Sequence, residues 1–151
     1  IFFVQTLFLL TGDSEFSIRL DALTLLGRLA QLNPAHLLPS LRQTLMQILV
    51  GLKFNKDSAA KEEATKMLCT FLRAPALQCL VHPVVKTVIE VLPLKGEYRL
   101  ATTALEALGE LSLGASDLII PYMDHLIPFI ITSIQDSTSN RRREVSAAAT
   151  R

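Results

Sequence analysis

Apolar side chains recur along this chain with the spacing of helix faces. Ile18, Ala22, Leu25, Leu26 and Leu29 share one side of an α-helix. Asn33-Pro34 then interrupts the pattern, where Asn suits a helix cap and Pro the first helical position. A second run carries Leu38, Leu41, Leu45, Ile48, Leu49 and Leu52, and Gly51 with Asn55 to Ser58 brings it to an end. The same order of events returns twice. The spacing predicts a helix over 59–73, a turn at Ala74-Pro75, and a helix through Val84, Val85, Val88, Ile89 and Leu92 that closes at Lys95 and Gly96. It then predicts a helix over 98–112, a turn at Gly114 to Asp117, and a helix through Met123, Leu126, Ile127, Ile130, Ile131 and Ile134. Pro39, Pro83 and Pro121 each stand near the start of a second helix, where a missing N–H does little harm, whereas Pro128 falls inside one and predicts a kink. Gln135 to Asn140 reads as a polar loop, and Arg141 begins a further unit.

The first helices also share wording. Ala22, Ala64 and Ala104 are 42 and 40 positions apart, and Gly27, Cys69 and Gly109 follow at the same offsets. Units of this length, each two helices, are the mark of a stacked solenoid of the HEAT or armadillo kind. The expected fold is therefore all-α, about seven helices in antiparallel pairs. Residues 1–14 form the end of a preceding repeat, 15–58, 59–96 and 97–137 three repeats, and 138–151 the start of a truncated one. The small residues have a physical role, because a large side chain would hold neighbouring helix axes apart. Glycine inside a helix costs about 1 kcal/mol against alanine, so its recurrence predicts a close approach that offsets the loss.

Composition narrows what such a stack does. Half of the 151 residues are hydrophobic, enough for a continuous core. The 15 Lys and Arg against 14 Asp and Glu leave a formal charge of +1, which gives no electrostatic reason to expect nucleic acid or an acidic membrane as partner. Cys69 and Cys79 lie on apolar stretches without metal-ligand spacing and read as buried, inert thiols. Ile1 to Leu10 is apolar but far short of a bilayer span, with no basic flank or cleavage site, and reads as the end of a helix. Ala147 to Arg151 likewise stops within a helical pattern, so both ends point to a longer chain.

No catalytic, cofactor or metal site is expected. The six glycines form no phosphate-binding loop, and His36, His82 and His125 stand in three different units away from the cysteines. Glu62, Glu63, Glu106 and Glu110 fall on polar faces and suit solvent or a neighbouring basic residue better than acid–base work. Arg141-Arg142-Arg143 is the one local charge run. It is a candidate contact patch for an acidic partner, although the register places Arg143 with Arg19 at the polar entry of a helix.

An ordered series of motifs resembles the HEAT region of the target of rapamycin (TOR) kinases. It comprises Phe16-Ser17-Ile18-Arg19 through Gly27-Arg28-Leu29, then Leu32-Asn33-Pro34-Ala35, Leu38-Pro39-x-Leu41-Arg42 and Gln47-Ile48-Leu49. Lys61-Glu62, Lys66-Met67-Leu68, Ala107-Leu108-Gly109-Glu110-Leu111, Pro121-Tyr122-Met123-Asp124 and Gln135-Asp136-Ser137 continue it. Cys69 departs from the family's Gly, and Thr150-Arg151 from its Leu-Gly. The resemblance implies a parent that is a large serine/threonine kinase of growth and nutrient signalling, cytoplasmic or peripheral on endomembranes through its complex. This segment would be part of its non-catalytic scaffold. Expected partners are neighbouring HEAT repeats, a raptor-like WD40 subunit or a second TOR copy. None of the kinase motifs carries over to any residue here. An independent HEAT adaptor, of transport or phosphatase-scaffold type, and a nucleic-acid-associated HEAT protein would share the fold.

Overall fold

The computed structural model describes residues 2–94, 98–135 and 150, and among these the backbone is helical with no strand. The elements are α1 (Phe2–Leu10), α2 (Phe16–Leu32), α3 (Pro34–Phe54), α4 (Ser58–Arg73), α5 (Gln78–Val81), α6 (Val85–Val91), α7 (Tyr98–Gly114), α8 (Ser116–Ile119) and α9 (Met123–Gln135). Short 3₁₀ turns occupy Pro75–Leu77, His82–Val84 and Ile120–Tyr122.

Local chemistry sets the helix ends. The Asp57 carboxylate accepts the backbone N–H groups of Ala59 and Ala60 and caps α4. Asn33 stands in the capping position of α3, but its side chain makes no capping hydrogen bond. Pro34, with φ already set for a helix, opens α3 without it. Before α2, Asp13 Oδ1 accepts the Glu15 N–H, and the Arg19 guanidinium donates to the carbonyls of Asp13 and Ser14.

The prolines correct the sequence expectation. Pro39 lies inside α3, which runs through it unbroken. Pro83 and Pro121 divide their second helices, each within a 3₁₀ turn that separates α5 from α6 and α8 from α9. A proline removes one N–H and crowds the carbonyl four residues back, so a short tighter turn takes up the conflict. Pro128 lies within α9, which continues to Gln135. The third turn is also shorter than expected: only Ala115 separates α7 from α8.

The first helices α2, α4 and α7 pack side by side in that order, while α3 lies against α2 and α4 and touches α6. Two layers result, with α1 resting on α2. Leu23, Leu26, Leu41, Leu45, Leu68, Phe71, Val88 and Leu111 belong to one core cluster with almost no exposure. Each buried leucine contributes about 1.5–3 kcal/mol relative to an exposed one. Thr65 is equally buried, and its hydroxyl donates to the Lys61 carbonyl, so that hydroxyl is not stranded. The helix pair of the second unit is not antiparallel. The chain turns by 97° between Ser58–Arg73 and Pro75–Val91, because a single extended residue, Ala74, leads directly into a proline-initiated 3₁₀ turn.

Candidate interaction surfaces

The repeated small residues occupy unlike surroundings. Ala22 and Ala104 are buried and Ala64 is half-buried. A Cβ at Gly27 would stand 2.8 Å from Cβ of Ala74, so α2 and the turn after α4 meet where no side chain fits. Cys69, at the same register one unit on, is buried with Sγ 3.6 Å from the Thr103 carbonyl on α7. At Gly109 a Cβ would meet nothing within 4 Å. The close approach expected from the repeated glycine therefore exists at Gly27 and is missing at Gly109 among the described residues. Gly27 is crowded by Ala74, in the turn after the following unit's first helix; the same offset from Gly109 lies past residue 151.

Ion pairs tie the first-helix layer together. Arg19 on α2 holds Glu63 on α4 at 2.6 Å, and Arg73 on α4 holds Glu110 on α7 at 2.7 Å through Nε. The hydrogen bond to Glu110 raises the Arg73 pKa further above its ordinary value. Arg19 also lies over the Phe16 ring, with Lys66, itself paired to Glu62, on the same ring. The carboxylates Glu62, Glu63 and Glu110 thus serve as helix-to-helix and intrahelical partners of basic side chains.

The cysteines separate into two environments. Burial, and after it the nearby Glu106 carboxylate, pushes the Cys69 thiol up to about 12. Cys79, expected to be buried as well, is exposed on the short helix α5, where apolar neighbours in sequence did not guarantee a core position. Among the described residues no group of three or more His, Cys, Asp or Glu could hold a metal ion, and no single helix is long and apolar enough to cross a membrane. Arg141, Arg142 and Arg143 lie outside the described residues.

Among the described residues the surface openings include three of some size. A trough of about 550 Å³ separates α1 from α3, between Gln5, Phe8 and Leu9 on one wall and Ser40, Gln43 and Gln47 on the other. It adjoins a second hollow of about 250 Å³ beside the Arg19–Glu63 pair. Between the C-terminal parts of α2 and α4 a cleft of about 290 Å³ opens, lined by Thr24, Gly27, Arg28, Gln31, Thr70, Arg73, Ala74 and Pro75. Sequence reasoning missed this cleft, since its two arginines stand 45 positions apart and carry no motif. The available signal was their position, one just after Gly27 and the other just before Ala74, which flank the close contact. Exposed apolar side chains lie at Phe2, Phe3 and Leu9 on α1, the last on the wall of the trough, at Met46, Val50 and Phe54 along α3, and at Ile127 and Ile131 on α9.

No family model matches the chain. It is 34% identical over 146 residues to the serine/threonine-protein kinase TOR2 of Saccharomyces cerevisiae, 33% over 147 residues to the serine/threonine-protein kinase tor1 of Schizosaccharomyces pombe, and 30% over 151 residues to the serine/threonine-protein kinase TOR of Oryza sativa subsp. japonica. These alignments cover 95%, 95% and 96% of this chain. The chain spans about 6% of the length of each of these relatives. It is homologous to one segment of the TOR serine/threonine kinases.

Proposed function

We propose that this chain is a non-catalytic scaffold segment of a TOR-type kinase, a HEAT-like stack that supports assembly of a growth- and nutrient-signalling complex. The observation that carries the reading is the near-complete alignment to one small segment of the TOR kinases. The layered helical stack adds to it, since such an architecture presents long surfaces to protein partners. Nothing in the sequence offers a phosphate-binding loop, a metal-binding Asp pair or a catalytic base, which agrees with a supporting role. On this reading the parent is a cytoplasmic serine/threonine kinase, and this segment needs no cofactor of its own. The partners are neighbouring repeats, with a raptor-like subunit or a second TOR copy beyond them, and not nucleic acid.

The test uses the full-length gene product carrying Ala104→Glu. Ala104 has no exposed surface, so a carboxylate there disturbs stacking without touching a catalytic group. The expected result is loss of co-precipitated WD40-bearing subunit, or loss of soluble protein, while specific activity of any intact kinase is preserved. Normal abundance and normal subunit recovery would refute the scaffold assignment at this site. A reading frame with no downstream kinase domain would instead favour the independent-adaptor reading.

A further inference from the structure

The cleft between α2 and α4 differs in charge from the next one along. At the second interface Arg73 of α4 faces Glu110 of α7 and the two form an ion pair. One unit earlier, the positions at the same register are Gln31, 42 before Arg73, and Thr70, 40 before Glu110. No carboxylate lines this first cleft, yet it has Arg28 on one wall and Arg73 on the other. Arg28 makes no ion pair or side-chain hydrogen bond among the described residues and is exposed. Arg73 uses Nε on Glu110, which leaves its terminal nitrogens for another acceptor. The hydroxyls of Thr24 and Thr70 donate to the carbonyls of Leu20 and Lys66. Recognition in the cleft therefore falls to two guanidinium forks and the Gln31 amide.

We propose that this cleft binds a phosphoryl group carried on a phosphorylated serine or threonine of a protein segment. The lining carries two arginines and no acid; Glu110, paired with Arg73 from outside the lining, offsets part of that charge and leaves Arg28 unpaired among the described residues. The number of donors selects phosphoryl over carboxylate. A carboxylate has two oxygens and satisfies one fork, whereas a phosphoryl group has three terminal oxygens and engages both. The space, about 290 Å³, exceeds one such group and is open to solvent, which leaves room for the chain that carries it. Gly27 contributes by having no side chain, which lets the Ala74 turn close the floor and sets the two walls. This inference stands on the cleft alone and is independent of the kinase-scaffold reading.

The experiment measures fluorescence anisotropy of a labelled Gly/Ser peptide with one central phosphoserine, titrated with the full 151-residue chain at low and moderate salt. Binding is expected to weaken with salt and to drop about tenfold or more with either Arg28→Gln or Arg73→Gln. Glu110→Gln frees Arg73 from its competitor and should strengthen binding severalfold. If Arg73→Gln acted only by loosening the stack, Glu110→Gln would weaken binding as well, and that outcome overturns the proposal. Arg42→Gln on α3, outside the cleft, should leave affinity unchanged; an equal loss there would mean a diffuse charge effect and would also overturn it. A peptide with glutamate in place of phosphoserine should bind at least tenfold more weakly, and equal binding refutes the phosphoryl assignment. Inorganic phosphate should displace the phosphopeptide, whereas failure to do so at saturating concentration counts against the cleft as the site.

Discussion

A methyl group added at Gly27 would lie 2.8 Å from Cβ of Ala74, while one added at Gly109 would meet nothing within 4 Å, although the two glycines hold the same place in their repeats. In an exposed helix interior, alanine is favoured over glycine by about 1 kcal/mol. Gly109→Ala should therefore stabilise the chain by about that amount. At Gly27 the same gain meets overpacking, which costs about 1–3 kcal/mol when the neighbour cannot retreat. Ala74 cannot retreat easily, because its Cβ is fixed to the single-residue link between α4 and the following 3₁₀ turn. Gly27→Ala should thus be destabilising by up to about 2 kcal/mol despite its better propensity. For a chain of this size each kcal/mol moves the midpoint by about 2–4 °C. Thermal unfolding followed by far-ultraviolet circular dichroism separates the two variants, and Gly27→Ala combined with Ala74→Gly should show positive coupling in a double-mutant cycle. Shifts of the same sign and size at both glycines, or no coupling to Ala74, would refute the close contact.

Ala104→Glu in the isolated chain should cost several kcal/mol or prevent folding, because the charge enters a site with no exposed surface; a melting curve like that of the unchanged chain would contradict the packing. An Ellman's reagent assay at pH 8 should label Cys79 promptly and Cys69 only on unfolding, since the first thiol is exposed and the second buried. The Cys69 thiol, raised from 9.0 to about 12, holds its proton more tightly in the folded chain, so its contribution is whole below pH 9 and is lost as pH rises toward 12. Cys69→Ala should flatten part of that alkaline loss in urea titrations, and an unchanged pH profile would remove the argument. Phe2 and Leu9, exposed by 87% and 78%, and the open isoleucines of α9 should make the chain self-associate at tens of micromolar, as sedimentation velocity would show; a clean monomer would rule this out.

The first helices were legible because their signal is purely local. Ala22 and Leu26 on α2, Leu68 on α4, and Ala104 and Leu108 on α7 are buried at the spacing the sequence displays, whereas Ile18 and Leu25 of the expected α2 stripe are exposed and Leu23, outside it, is buried, because α4 and the turn after it pack on a face rotated from that stripe. The second helices were legible only as apolar runs. Val85, Val88 and Ile89 keep a helical spacing whether or not the turn at Pro83 is 3₁₀, so the pattern did not reveal the break. Cys79 escaped for a related reason: its neighbours Leu77 and Val81 are buried, but α5 has a single turn and shows its other side to solvent. The arginine cleft could not be read at all from local pattern, since it depends on which residues α2 and α4 place opposite each other. Likewise the difference between Gly27 and Gly109 is one of neighbours, which no periodicity records.

The Arg19–Glu63 and Arg73–Glu110 pairs give the stack an elastic asymmetry. Both clip one layer, α2 to α4 and α4 to α7, whereas among the described residues no ion pair joins α3 to α6, which meet through apolar side chains. Dissolved salt screens the first kind of contact and leaves the second almost untouched. Rising ionic strength therefore relaxes one face of the strip while the other holds its spacing, as in a bimetallic ribbon with only one metal heated. Curvature is then expected to follow ionic strength, and small-angle scattering that is the same at low and high salt would refute it.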